Sequence, residues 1–242
     1  MSRNILITGA AGYIGGFIIA NLLSKHPETT KQQVFAAVRT DEQAKALSTL
    51  GINVLKLDLS DEQAVVNEMS SHKISVIVHA ANSINPELAL PLINALAKQK
   101  ESAGKPTHFI HTSGLSAFYA NSGWPRTVNK DTDAVFETEK GFADSYPIRK
   151  SMHKPKVLHH SLLYHLSSLW SLQAVHISGL TALYCRIIHA ALKNEEIPSG
   201  KEGYYSAVAH ETDMWEFQDH LAAAMKARGL VSSNKPEMYS SD

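Results

Sequence analysis

Near the start of the chain, Gly9-Ala10-Ala11-Gly12-Tyr13-Ile14-Gly15-Gly16 places glycines three apart between two apolar segments. Before it runs Ile5-Leu6-Ile7-Thr8, short and apolar enough for a buried strand. After it, Ile14, Phe17, Ile18 and Leu22 recur at helical spacing through residue 25. Strand, glycine turn and helix in that order leave few folds open. Glycine lets the chain turn tightly and lets backbone N–H groups approach a pyrophosphate, which then rests on the positive end of the helix dipole. A plain strand-to-helix turn would also use glycine, so the context has to decide, and a second strand about 30 residues on supplies it.

That context extends through the first half. Residues 34–38 are continuously apolar, as in a strand covered on both faces. Thr40 and Gln43 have the spacing of a capping box, opening a helix through Leu50 that Gly51 terminates. Residues 52–58 read as a third strand. Ser60 and Gln63 repeat the capping box before another helix, and residues 74–81 make a fourth strand. Asn85 and Pro86 suit an N-cap and first helical residue, with a kink expected at Pro91 and an end at Gly104. Residues 107–112 form a fifth strand. Strands alternating with helices imply right-handed crossovers and an α/β, doubly wound parallel sheet with helices on both faces, of the Rossmann type.

The totals exclude several classes. Lys plus Arg and Asp plus Glu each number 23 in 242 residues, so no bulk charge draws the chain to nucleic acid or to an anionic membrane. No run approaches about 18 uninterrupted apolar residues, which argues against a spanning helix. Cys185 is the single cysteine and cannot pair internally, which points to a reducing, cytoplasmic setting and a small core residue.

The Thr8–Gly15 segment TGAAGYIG, with Val78-His79-Ala80-Ala81 and His111-Thr112-Ser113-Gly114, resembles the short-chain dehydrogenase/reductase superfamily. It is most similar to the extended or atypical branch related to NAD-dependent epimerases and dehydratases. The likeness covers residues 4–115, returns over residues 175–230, and is poor between. It implies NAD(P) as cofactor and Gly9, Gly12, Tyr13, Ile14 and Gly15 as the pyrophosphate turn. Where an acidic residue in such proteins holds the 2′-hydroxyl of NAD, this chain has Arg39. A guanidinium forks onto phosphate oxygens, so NADP is expected over NAD, though Asp41 and Glu42 stand close by. The resemblance assigns Asp58 to the adenine and Ala80, Ala81 and Asn82 to the adenosine ribose. Capping near Ser60 is the competing role for Asp58.

For catalysis the resemblance implies a tyrosine that moves the substrate proton, a lysine that lowers its pKa and a serine that orients the carbonyl. Tyr146 and Lys150, four apart, and Ser113 match those roles. Pro147, however, sets Tyr146 at a helix start rather than inside a helix.

Beyond Lys150 the pattern departs. Between Ser145 and Asn194 there is no Asp or Glu, whereas His153, His159, His160, His165, His176 and His189 accumulate. A metal site lacks carboxylate companions there, and His159 and His160, adjacent on a helix, cannot face one ion. Leu158, Leu162, Leu166, Leu169 and Trp170 make one helical stripe, read either as a partner or membrane surface or, as favoured here, as core filling the substrate region. A sixth strand and substrate loop are then expected to be missing or replaced, as splicing, a shifted reading frame or divergence would each produce. The expected division is residues 1–150 for the cofactor, 151–174 as a His- and Leu-rich insert, and 175–242 as the remainder of a shortened substrate region. Three functions follow: an NADP-preferring oxidoreductase acting on a small carbonyl or alcohol, a non-catalytic NAD(P)-binding regulator, or a sugar-nucleotide epimerase or dehydratase.

Overall fold

A computed structural model describes residues 3–83, 85–114, 133–141, 158–164 and 171–236. Seven parallel strands form the main sheet. They are β1 (Asn4–Thr8), β2 (Val34–Val38), β3 (Asn53–Lys56), β4 (Ile74–His79), β5 (His108–Gly114), β6 (Leu158–Tyr164) and β8 (Tyr204–Ser206). Their spatial order is β3-β2-β1-β4-β5-β6-β8. β7 (Ser171–Ala174) and β9 (His210–Asp213) pair antiparallel in a separate two-stranded sheet. The helices are α1 (Tyr13–Lys25), α2 (Pro27–Gln33), α3 (Asp41–Ser48), α4 (Glu62–Ser71), α5 (Leu90–Ala103), α6 (Val135–Gly141), α7 (Ile177–Lys193) and α8 (Met214–Ala227).

Side-chain alternation divides the core into two layers. Ile5, Ile7, Val76, Val78 and Ile110 pack with Ile18, Leu22, Leu180 and Ile188 from α1 and α7. Leu6, Ile77 and Phe109 face the other way, against Val65 and Met69 of α4 and Leu92 and Leu96 of α5. The central strands β1, β2, β4 and β5 are therefore buried on both sides, which is why they read as apolar runs rather than alternating ones. The sheet is Rossmann-like and doubly wound, as expected.

Local predictions met mixed outcomes. The Thr40–Gln43 capping box forms with both hydrogen bonds present. Gly104 ends α5 in the left-handed conformation, at φ 63°. Helix α4 is capped by Asp61, whose carboxylate accepts from Ala64 N–H at 2.9 Å, and not by Ser60. Ser60 is instead held by Asp58. Pro91 does not kink a helix: Pro86–Leu88 is a separate 3-10 turn, and Pro91 lies in the first turn of α5, where its missing N–H costs nothing. The polar residues after α1 form helix α2, with Pro27 at its start.

The larger correction concerns residues 158–164. They form β6, parallel to β5 in seven registered pairs from His108↔Leu158 to Gly114↔Tyr164, and not the first turns of a helix. A sixth strand is present after all. The outer edge of β5 exposes a ladder of N–H and C=O groups, and pairing with it outweighs a four-residue leucine spacing. Among the described residues, no helix is long and apolar enough to cross a membrane.

Candidate functional site

All seven strands of the main sheet run the same way, so their carboxyl ends open on one edge. The strand order reverses between β1 and β4, and in such sheets ligands bind in the crevice at that point. The glycine turn lies there. Gly9 follows β1 at φ 67°, and a Cβ on it would sit 2.5 Å from the Ala80 carbonyl oxygen just past β4. No other residue type fits that contact. A Cβ on Gly15 would come within 2.3 Å of the Gly9 carbonyl oxygen, so Gly15 lets α1 pack down on its own turn.

Gly12 differs. Among the described residues, a Cβ there would meet only the Gly9 carbonyl oxygen, at 3.1 Å. Gly12 caps α1 without a side-chain hydrogen bond, and the first turn carries no acidic residue. The leading N–H groups of α1 thus face open space with the positive end of the dipole behind them. That is a cradle for a pyrophosphate, and the dinucleotide expected from the sequence fits it. Tyr13 lies exposed at the rim, edge-to-face with Phe17 at 5.2 Å, and Ile14 is half-buried behind it.

Arg39 emerges exposed after β2, and its backbone N–H donates to Gln43 Oε1 at 3.1 Å. The acidic neighbours are engaged elsewhere. Asp41 pairs with Lys56 at 2.8 Å, and the Thr40 hydroxyl helps hold the Glu42 carboxyl below the usual range. Asp58 accepts from Ser60 Oγ at 2.7 Å and from Ser60 N–H at 2.9 Å. Those bonds lower its pKa, and the Arg39 charge adds to them. Arg39 and Asp58 therefore lie near one another past the carboxyl ends of β2 and β3. Ala80, Ala81 and Asn82 line the loop after β4, with Asn82 Oδ1 accepting from Asn85 N–H at 2.8 Å.

On the far side of β4, Ser113 near the end of β5 is fully buried, and among the described residues nothing hydrogen-bonds its hydroxyl. Tyr146 and Lys150 lie outside the described residues. Two further features escaped the sequence reading. His79 Nδ1 and Thr8 Oγ1 lie 2.8 Å apart in the core, and the His79 ring stacks on His111 at 5.5 Å and on Phe109 at 5.8 Å. Burial pushes the His79 pKa down to about 4, offset in part by hydrogen bonding to the Asn82 backbone. Tyr184 of α7, also fully buried, hydrogen-bonds Thr112 Oγ1. His79 sits inside the VHAA segment, but its partnership with Thr8 exists only through the register of β1 with β4.

Residues 1–123, which hold the whole crevice from β1 to β5, match the NmrA-like family. The chain belongs to the NmrA-like family. These are NAD(P)-binding, oxidoreductase- and epimerase-like proteins within the extended branch of the short-chain dehydrogenase/reductase superfamily. Among curated relatives, quinone oxidoreductase 2 of Escherichia coli (strain K12) is 37% identical over 141 residues, 58% of this chain and 44% of its own length. Oxidase ucsJ of an Acremonium species is 28% identical over 146 residues, 60% of this chain and 40% of its own. This NmrA-like chain thus matches less than half the length of either. The crystal structure of the Bordetella bronchiseptica enzyme WbmG in complex with NAD and UDP aligns with 100% of this chain and 82% of that one. The TM-score is 0.63 at 16% identity, a likeness of fold.

Proposed function

We propose that this NmrA-like protein is an NADP-preferring oxidoreductase that acts on the carbonyl or alcohol group of a small molecule. The observation carrying the reading is a crevice with a phosphate cradle at Gly12, Arg39 at one end and a buried, unpartnered Ser113 hydroxyl at the other. In this reading Gly9, Gly12, Tyr13, Ile14 and Gly15 hold the pyrophosphate. Arg39 takes the 2′-phosphate, Asp58 the adenine, and Ala80, Ala81 and Asn82 the ribose. When bound, a nicotinamide supplies or accepts hydride. Ser113 would then orient the substrate oxygen by donating a hydrogen bond. Tyr146 would move the proton to or from that oxygen, and Lys150 would stabilise the phenolate. Residues 1–150 serve the cofactor and residues 175–242 the substrate, with 151–174 between them. The Escherichia coli relative is named a quinone oxidoreductase, which makes quinones a natural first class of carbonyl to try.

Fluorescence titration with NADPH and NADH tests the cofactor half. NADPH should bind more tightly, and Arg39→Ala should remove about tenfold of that preference, the worth of a charge-assisted pair. Equal affinities in the unaltered chain would refute it. Following NADPH absorbance with quinones, aldehydes and ketones tests the other half. Tight NADPH binding without turnover of any carbonyl would favour the regulator reading instead.

A further inference from the structure

At the opposite end of the sheet a cavity of about 110 Å³ lies between α1, α2 and α7. Its floor is apolar, formed by Ile5 and Val34 near the starts of β1 and β2 with Leu22, Ile188 and Leu192. Its rim is basic and polar. Lys25, His26 and His189 are exposed there, and the two imidazoles stack at 5.7 Å with their planes 18° apart. No carboxylate lines it among the described residues. This is not the dinucleotide crevice, because Gly12 and Lys25 stand at opposite ends of α1, about 20 Å apart for a helix of that length.

Folding alone does not call for this arrangement. A residual void inside a packed core forfeits contacts along its walls, and lysine and histidines gathered over apolar carbon offer donors and positive charge to something else. An apolar cavity of about 150 Å³ admits a benzene ring, so one of this size, open at its rim, admits a single ring or short branched chain with its head outside. We infer that it binds a small organic monoanion, a compact hydrocarbon or aromatic body bearing one carboxylate. The body lies on Ile5, Leu22 and Ile188, and the carboxylate faces Lys25 and the histidine pair. A ligand with a second charge on its body would leave that charge over an apolar floor, and a neutral one would forgo the rim.

Cys185 lines the wall and is the only cysteine, so its alkylation, read on the intact mass of the full chain, reports occupancy. Benzoate should slow iodoacetamide labelling of Cys185, and benzyl alcohol should do so less well. Lys25→Gln should weaken benzoate protection about threefold and leave benzyl alcohol unaffected. Saturation-transfer NMR with benzoate gives a second readout, which Leu192→Trp should extinguish by filling the cavity. Saturating NADPH should leave labelling unchanged, which separates this site from the crevice and makes the outcome independent of the proposed activity. Absence of both protection and transfer by benzoate would overturn the site. Equal protection by benzyl alcohol, or a Lys25→Gln variant unchanged toward benzoate, would overturn its preference for an anion.

Discussion

Gly9, Gly12 and Gly15 share a missing side chain but answer to different constraints, and substitution should separate them. At Gly15 an added methyl meets backbone 2.3 Å away, which cannot move without shifting α1 off its turn. Gly15→Ala should cost about 1 to 3 kcal/mol or more in urea unfolding. At Gly12 the added group enters the open face of the cradle. Gly12→Val should cost only about 1 kcal/mol, as an apolar residue at an N-cap does, yet abolish NADPH binding. Unaltered affinity in that variant would remove the pyrophosphate from this turn. His79 gives a prediction of another kind. Burial holds its folded pKa at about 4, below the 6.5 of a free imidazole, so between those values the unfolded chain binds a proton that the folded chain does not. Stability is then full above pH 6.5 and falls as pH drops toward 4, by up to about 3 kcal/mol. Urea midpoints measured across that range should slope less steeply in His79→Gln, and identical slopes would place the acid sensitivity elsewhere.

At the level of elements, what could be read was what local chemistry decides. The capping box of α3, the left-handed stop at Gly104 and the first five strands each depend on residues within one segment. Serine and aspartate both cap, so Ser60 and Asp61 compete for the start of α4, and only the fold shows Asp58 drawing Ser60 away. Asp61→Ala should therefore lower stability by about 1 kcal/mol while Ser60→Ala costs less, measured by thermal or urea unfolding. The strand at residues 158–164 was not legible for a different reason. Its leucines satisfy a helical spacing, and what makes it a strand is the edge of β5, formed by residues some 50 positions earlier. The candidate site divides the same way. Arg39 and the glycines announce themselves by position after a strand, whereas Thr8 and His79 meet only because β1 and β4 are neighbours.

Across the whole molecule, the sheet places the proposed cofactor cradle and the proposed catalytic serine on different strands. The crevice from Gly9 to Asn82 is built by β1 to β4, with α1 and α3 locked to them, and Ser113 enters only at the end of β5. A change at Ser113 removes one hydroxyl and no backbone, so the phosphate cradle and Arg39 should not sense it. Proton transfer is different, because it requires donors held about 3 Å from one reacting oxygen, and small displacements are costly. Ser113→Ala should leave the NADPH dissociation constant within about twofold and reduce carbonyl turnover about a hundredfold, the usual scale for losing a preorganised donor. Tyr146→Phe should do the same, with the alkaline limb of the pH profile lost as well, since the titrating phenol is gone. Lys150→Ala should instead shift that limb upward, because the phenol would lose the neighbour that lowers its pKa. Stopped-flow binding and steady-state absorbance on the same preparations decide the matter. Turnover that survives Tyr146→Phe with an unchanged pH profile would remove Tyr146 from the mechanism and leave Ser113 as the group to pursue.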